Sequence, residues 1–232
     1  MLHVHGASGK RHGMTDVGDK EEERLMETFE LEMQRDRFLK IFDEKIGSRE
    51  GKDALREWLL SDECDFFSAP ASTKYHGFYT GGLCEHSLDV YDMAVQLEEL
   101  YSENIRKQFL VLNRPYDREQ FKESLAVAAL FHDLCKVNFY KARVSGKNNM
   151  NFVVDEQLPF GGHGSKSVYV LSKYLKDLRD EEAIAINCHM GFSRAEDNSI
   201  SISESFRFSP LAWIIHVADE AATFMLDRIT PQ

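Results

Sequence analysis

The sequence lacks the features of several protein classes. No apolar run approaches the ~18 residues that a membrane-spanning helix needs. The first 13 residues contain no apolar segment of the kind found in secretory signals. The four cysteines have no CxxC spacing, which argues against a disulfide framework and favours small buried side chains in a reducing compartment. Together these absences predict a cytoplasmic protein without a membrane anchor.

An excess of basic residues is also missing. The chain has 28 basic and 39 acidic residues, so its formal charge is −11. Proteins that coat nucleic acid need a basic surface to displace counterions from phosphates, so nucleic acid is not the expected partner. A small phosphorylated substrate stays compatible, because it requires only a local cationic pocket.

The length of 232 residues and the hydrophobic fraction of 43% predict one folded domain with an N-terminal extension. Residues 1–20 are rich in Gly, His and Lys without apolar periodicity, and we expect a disordered tail; Met14 could be the native start. Residues 21–232 are expected to form a single domain. Within it, residues 21–72 would supply N-terminal helices and residues 73–228 the core that carries the site.

Apolar residues recur at helical intervals through most of the chain. The predicted helices cover residues 21–46, 52–60, 82–101, 118–135, 165–175 and 180–190, with a last helix that starts at Pro210. Two β-prone segments, 139–144 and 151–154, predict a hairpin. The expected fold is therefore all-α with a small β-hairpin insertion.

The first predicted helix carries Leu25, Phe29, Met33 and Phe38 at near-helical intervals. We interpret these side chains as one inward-facing stripe. The stripe could pack on its own domain or on a second copy of the chain, so a homodimer stays open as an alternative.

Six scattered residues are the candidate metal ligands. An imidazole and a carboxylate at the end of an apolar stretch, as in the adjacent pair His132-Asp133, are costly to bury unless something pairs with them. A divalent ion accepts neutral nitrogen and anionic oxygen together, and four of the six positions fall on or beside the apolar face of a predicted helix. A mixed donor set suits Mn, Fe, Co, Ni or Zn, with Mg as a further option. The predicted ligands are His86, His132, Asp133, His163, His189 and Asp219.

The order H…HD…H…H…D, with GGLCEH at 81–86 and HDLCK at 132–136, resembles the HD-domain metal-dependent phosphohydrolase superfamily. Residues 159–167 are also similar to small bacterial or phage members of unassigned substrate. The resemblance spans about residues 75–226 and implies an all-α HD helical bundle. It implies that His86, His132, Asp133 and Asp219 surround a first metal, that His163 and His189 belong to a two-metal site, and that Asp133 bridges two ions.

The resemblance implies hydrolysis of a phosphomonoester or phosphodiester of a nucleotide or other small molecule by a metal-activated hydroxide. Asp133 and Lys136 are the predicted catalytic residues. The Lys136 ammonium would bind a phosphate oxygen or, alternatively, pair with a ligand carboxylate. His76 would act as a general acid or cap its loop. Lys166 and Arg143 are further candidate phosphate contacts.

Other functions stay open from the residues alone. Four histidines and two aspartates also fit a di-iron oxygenase of the HD fold that resembles myo-inositol oxygenase. A 3'-5' exonuclease or phosphodiesterase acting on nucleic acid and a catalytically silent regulatory module are further alternatives. His216, three residues before Asp219, could orient that carboxylate or be an ordinary core or surface histidine.

Overall fold

The computed structural model describes residues 15–73, 77–145, 149–155, 160, 162–192 and 199–226. Helices dominate this part of the chain. They are α1 (Thr15–Lys45), α2 (Lys52–Leu59), α3 (Gly82–Val111), α4 (Arg118–Phe131), α5 (His163–Ser172), α6 (Asp180–Cys188), α7 (Ser199–Phe208) and α8 (Pro210–Ala221). A 3₁₀ turn (Leu134–Lys136) follows α4, and a π-helical turn (Ala222–Leu226) follows α8.

The β-structure of the described residues is a single antiparallel hairpin. Strand β1 (Tyr140–Ser145) pairs with β2 (Asn149–Val154) in a register that sets Tyr140 opposite Val154. The predicted fold class is therefore confirmed: a helical domain with a small hairpin inserted between α4 and α5. Among the described residues, no helix is long and apolar enough to cross a bilayer.

Helix α4 lies at the centre of the core. Its residues from Leu125 to Phe131 are all buried, with at most 1% of their surface exposed. A helix that is apolar all round needs neighbours on every side, and α3, α6 and α8 pack around α4. As a result, the residues that follow Phe131 emerge in the interior of the molecule.

Several element boundaries differ from those predicted. Helix α1 begins at Thr15, six residues before the predicted start. Helix α3 runs ten residues beyond Tyr101 because Ile105 and Phe109 continue its buried face. Helix α7 was not predicted; its sequence is rich in serine, and it forms against α8.

The predicted inward stripe of α1 is wrong. Phe38 is buried, whereas Leu25, Phe29 and Met33 are 57–65% exposed. The step from Met33 to Phe38 is five residues, which rotates the side chain by about 140° around the helix axis. The buried face instead includes Phe38 and Phe42, and the three exposed residues lie on roughly the opposite side of the helix.

The loop between α1 and α2 is tied to α6 by a buried ion pair. The Arg49 guanidinium donates to both carboxylate oxygens of Glu182, at 2.9 and 3.0 Å, and to the backbone carbonyl of Asp177. Glu182 is fully buried and also accepts a hydrogen bond from Ser124 Oγ of α4. This network fixes the orientation of α6, whose last turn leads into the candidate site.

Candidate metal centre

His132 lies at the point where α4 ends. The helix was predicted to continue to Cys135, but it stops at Phe131 and His132 is its C-cap. Nδ1 of His132 lies 2.8 Å from the carbonyl oxygen of Ala129. Because a carbonyl can only accept, Nδ1 donates and satisfies a carbonyl that the end of the helix leaves unpaired. This contact orients the ring so that Nε2 faces the core.

His189 is built in the same way at the end of α6. That helix was predicted to reach Met190 but ends at Cys188, and His189 is its C-cap. Nδ1 of His189 donates to the carbonyl of Ile186 at 2.7 Å. Its Nε2 is buried and has no hydrogen-bond partner among the described residues. A buried nitrogen left unpaired is costly, so this atom points to a ligand.

Three of the predicted ligands form a tight cluster. His86 from α3, His132 and Asp219 from α8 each offer one ligand atom, and these atoms lie within 4.8 Å of one another. Nε2 of His86 lies 3.1 Å from Oδ1 of Asp219 and 3.3 Å from Nε2 of His132. All three residues are buried. Three separate helices therefore converge on one small volume.

Asp133 lies between this cluster and His189. Its Oδ2 is 3.5 Å from Nε2 of His132 and 3.8 Å from Nε2 of His86. Its Oδ1 is 3.6 Å from Nε2 of His189. One oxygen of the carboxylate thus faces the nitrogens of His86 and His132, and the other faces the nitrogen of His189.

The electrostatics of the site favour a cation. Burial raises the pKa of the Asp133 carboxyl, but the Lys136 ammonium and the neighbouring His132 and His189 together outweigh burial and hold the pKa well below its usual range. For Asp219, burial is likewise outweighed by the hydrogen bond with His86 together with the nearby His132 and His189, and its pKa is lowered. Burial opposes charge on His132, yet Asp133 raises the pKa of that ring above its ordinary value. The carboxylates therefore stay ionised and favour positive charge on His132, whereas burial lowers the pKa of His189.

The predicted ligand His163 is connected to Asp133 through a thiol. It is the first residue of α5, and its Nδ1 lies 3.5 Å from Sγ of Cys135. The same sulfur is 4.0 Å from Oδ1 of Asp133, and the backbone N–H of Cys135 donates to Oγ of Ser167. The sequence interpretation treated Cys135 as an ordinary buried residue and did not include Ser167. Ser167 could have been identified from the sequence, because it lies four residues after His163, one turn along the same helix.

His216 does not contact the Asp219 carboxylate. Its Nδ1 instead donates to the backbone carbonyl of His189 at 2.7 Å. The ring stacks on Phe206 of α7 and packs against Gly191, where an added Cβ would lie 2.4 Å from a ring atom. Neither of the two alternatives for His216 included this contact, which joins it to the ligand candidate on α6.

The predicted catalytic and phosphate-binding residues differ in how close they lie to the cluster. Nζ of Lys136 lies 2.5 Å from Oδ2 of Asp133, so the lysine pairs with a candidate ligand in this structure. Lys166 is half-buried on α5, with its ammonium 4.7 Å from the centre of the Phe139 ring. Arg143 is exposed on β1, and no contact within the described residues joins it to the cluster. His76 lies outside the described residues.

The donor set fits a divalent ion. Imidazole nitrogens and carboxylate oxygens are the ligands that Mn, Fe, Co, Ni and Zn share. His132 and His189 each donate through Nδ1 to a backbone carbonyl, which is the usual support of a histidine that ligates through Nε2. The unpaired Nε2 of His189 agrees with this arrangement.

Comparison with known proteins agrees with this geometry. A dihydroneopterin 2',3'-cyclic phosphate phosphodiesterase from Methanocaldococcus jannaschii is 27% identical over 154 residues, which cover 66% of this chain and 51% of that protein. The chain thus spans about half the length of this curated relative. No solved structure matches significantly. The HD domain family matches residues 83–223, a range that contains the whole cluster, and the chain therefore belongs to the HD domain family.

Proposed function

We propose that this chain is a metal-dependent phosphohydrolase that cleaves a phosphoester bond of a small molecule. The observation that carries the proposal is the placement of the Asp133 carboxylate, which has one oxygen 3.5 Å from Nε2 of His132 and the other 3.6 Å from Nε2 of His189. A carboxylate in this position can bridge two ions. Paired ions are well suited to phosphoryl chemistry, because they can contact both the attacking and the leaving oxygen.

Under this proposal the first ion is held by His86, His132, Asp219 and Oδ2 of Asp133. The second is held by His189, Oδ1 of Asp133 and His163. Support for the first group is the cluster of mutually close donor atoms. Support for the second group is the buried, unpaired Nε2 of His189 beside Oδ1 of Asp133.

Divalent ions in such a donor set lower the pKa of a coordinated water towards ~7 and neutralise charge on phosphoryl oxygens. The chain itself would supply orientation and local charge. Lys136 is paired with the Asp133 carboxylate, and its ammonium could contact an oxygen of a phosphate that ions at this carboxylate would hold. Lys166, one turn after His163 on α5, would supply a second cation on the side of the hairpin.

The substrate class follows from charge and from the relative. A chain of formal charge −11 is poorly suited to long nucleic acids, whereas a single phosphoester needs only the cations of the site. The relative's name describes action on a 2',3'-cyclic phosphate, which favours phosphodiester hydrolysis over di-iron oxygenation. We therefore propose a small phosphodiester, with cyclic phosphates as the first candidates.

The test is a hydrolysis screen of the purified full chain. It covers 2',3'-cyclic and 3',5'-cyclic nucleotides, cyclic dinucleotides and nucleoside mono-, di- and triphosphates, each with Mn, Fe, Co, Ni, Zn or Mg. The matched variants are Asp133→Ala, which removes the shared carboxylate, and Asp92→Ala, which removes an exposed carboxylate paired with Arg37. We expect metal-dependent turnover of at least one phosphodiester by the wild type and by Asp92→Ala, and none by Asp133→Ala. Equal turnover in all three proteins would contradict the proposal.

A further inference from the structure

The outer face of α1 carries an apolar surface that the domain core does not cover. Leu25, Met26, Phe29 and Met33 are 65%, 65%, 62% and 57% exposed. We call these four residues the α1 outer stripe. At about 100° of rotation per residue, they fall within roughly a 100° arc of the helix.

The outer stripe and the residues that pack on the core lie on opposite sides of α1, so the domain does not cover the stripe. The side that packs on the core includes Phe38 and Phe42, which are buried, and Gln34, which donates to Glu85 of α3. The outer stripe lies on nearly the opposite side of the helix. All residues from 25 to 30 are exposed, so this half of the helix extends beyond the core.

A helical segment of this kind needs packing to be stable. Helix α1 has 31 residues and is about 46 Å long at ~1.5 Å per residue. Isolated helices shorter than ~12–15 residues are marginal in water, and most helical stability in proteins comes from packing an amphipathic face. The N-terminal half of α1 would gain this stabilisation if the outer stripe were covered.

We propose that the outer stripe is the interface of a homodimer, in which α1 pairs with α1 of a second copy in antiparallel orientation. Three of its residues are symmetric about Phe29, since Leu25 lies four residues before it and Met33 four residues after it; Met26 comes to lie opposite Glu32. An antiparallel pair centred on Phe29 sets Leu25 of one copy against Met33 of the other. The two Phe29 rings meet at the two-fold axis, as a self-complementary interface requires.

The charge pattern of α1 selects the antiparallel orientation. Residues 15–32 contain eight acidic and two basic residues, whereas residues 33–45 contain four basic and three acidic residues. A parallel pair would align two strongly acidic segments, which repel each other. The antiparallel pair sets each acidic segment against the mildly basic one.

Two variants of the full-length chain test whether the interface exists. Phe29→Glu places a charge at the proposed two-fold axis, and Val111→Glu places one on another apolar residue, which is 84% exposed at the end of α3. Light scattering and sedimentation at tens of micromolar should give twice the chain mass for the wild type and for Val111→Glu. Phe29→Glu should weaken dimerisation by about 30-fold or more, as expected for a central anchor residue, and should lose no more helical circular dichroism than the N-terminal half of α1 contributes.

A cross-linking experiment tests the orientation. A short bis-maleimide should join Leu25→Cys to Met33→Cys in a mixture of the two variants more efficiently than it joins either variant to itself, with the wild type as background for its native cysteines. Preferential self-linking of Leu25→Cys would overturn the antiparallel arrangement. A wild type that stays monomeric over this concentration range, or a Phe29→Glu variant that dimerises as well as the wild type, would overturn the proposal, even if another protein bound the stripe.

Discussion

Nε2 of His189 lies 3.6 Å from Oδ1 of Asp133, and both atoms belong to buried side chains. This separation is longer than an N–H···O hydrogen bond. Two donors that bind one ion at ~2.1 Å are separated by roughly 3–4 Å, so the pair has the spacing of ligands that share a metal. The spacing also explains why Nε2 has no hydrogen-bond partner among the described residues.

Replacing His189 should therefore change the metal content. We expect His189→Leu to bind fewer ions per chain than the wild type and to keep the ion at His86, His132 and Asp219, because those donors remain. Elemental analysis of the purified, dialysed protein measures the stoichiometry. His86→Leu provides the comparison, since it should weaken the other position. An unchanged metal-to-protein ratio in His189→Leu would show that this nitrogen is not a ligand.

Removal of the Lys136 ammonium should destabilise the metal-free protein. Lys136 and Asp133 are both nearly inaccessible to solvent, and their charged atoms are 2.5 Å apart. Breaking a buried pair by removing one partner leaves an uncompensated charge and costs about 3–5 kcal/mol. Lys136→Met should thus lower the free energy of unfolding in urea by about this amount. Added Mn or Co should recover part of the loss, because a bound cation also neutralises Asp133.

The control for this prediction is Lys141→Met. Lys141 forms an ion pair with Asp155 at 2.7 Å, but its side chain is 68% exposed. Exposed pairs contribute about 0–1 kcal/mol, so the variant should unfold nearly as the wild type does. If Lys136→Met were as stable as Lys141→Met without metal, the ammonium would not be balancing the Asp133 charge.

The contact between α5 and α6 should be intolerant of added volume. A Cβ on Gly164 would lie 2.4–2.6 Å from backbone atoms of Ile186 and Asn187, which lie three and two residues before His189. Backbone cannot move aside as a side chain can, so Gly164→Ala should cost about 1–3 kcal/mol and displace His189. Thermal unfolding and metal affinity measure the two effects.

Gly47→Ala is the matched glycine control for Gly164→Ala. There, the closest atom to the added methyl is Oε1 at the end of the Glu123 side chain, which can rotate away. A small change in both stability and metal affinity is expected. Equal losses in the two variants would mean that the close approach of α5 to α6 does not support the site.

The buried pair of Arg49 and Glu182 should be the main electrostatic link between the N-terminal helices and α6. Both side chains are at most 3% exposed. We expect Arg49→Met to lower the free energy of unfolding by about 3–5 kcal/mol, because Glu182 would stay buried without its main cation. Arg56→Met, which removes a largely exposed pair with Asp43, should cost no more than about 1 kcal/mol. Equal effects of the two substitutions would rule out a special role for the buried pair.

The sequence predicted the ligand candidates of the cluster more accurately than the helix boundaries around them. His86, His132 and Asp219 were found because each follows the apolar periodicity of its own helix, and a face that is buried in one helix must meet those of its neighbours. The predicted ends of α4 and α6 lie four and two residues too far along the chain, and at the observed ends His132 and His189 donate to carbonyls three residues back. The spacing of apolar residues does not reveal such side-chain contacts at a helix end.

Other features could not be predicted because they depend on contacts between elements that are distant in the sequence. The contact of His216 with the His189 carbonyl joins α8 to α6. The thiol of Cys135 lies next to His163 although the hairpin separates the two residues along the chain. For α1, the spacing of apolar residues was correct, but a five-residue step divides them between two faces. The core uses the face with Phe38.

The most direct test of the metal centre is a crystal structure of the protein grown with Mn or Co and measured at the absorption edge of that metal. The account predicts an anomalous difference peak within coordination distance of His86, His132, Asp133 and Asp219, and a second peak between Asp133 and His189. Absence of any peak among these side chains in a metal-soaked crystal, with Asp133 still paired only with Lys136, would contradict it.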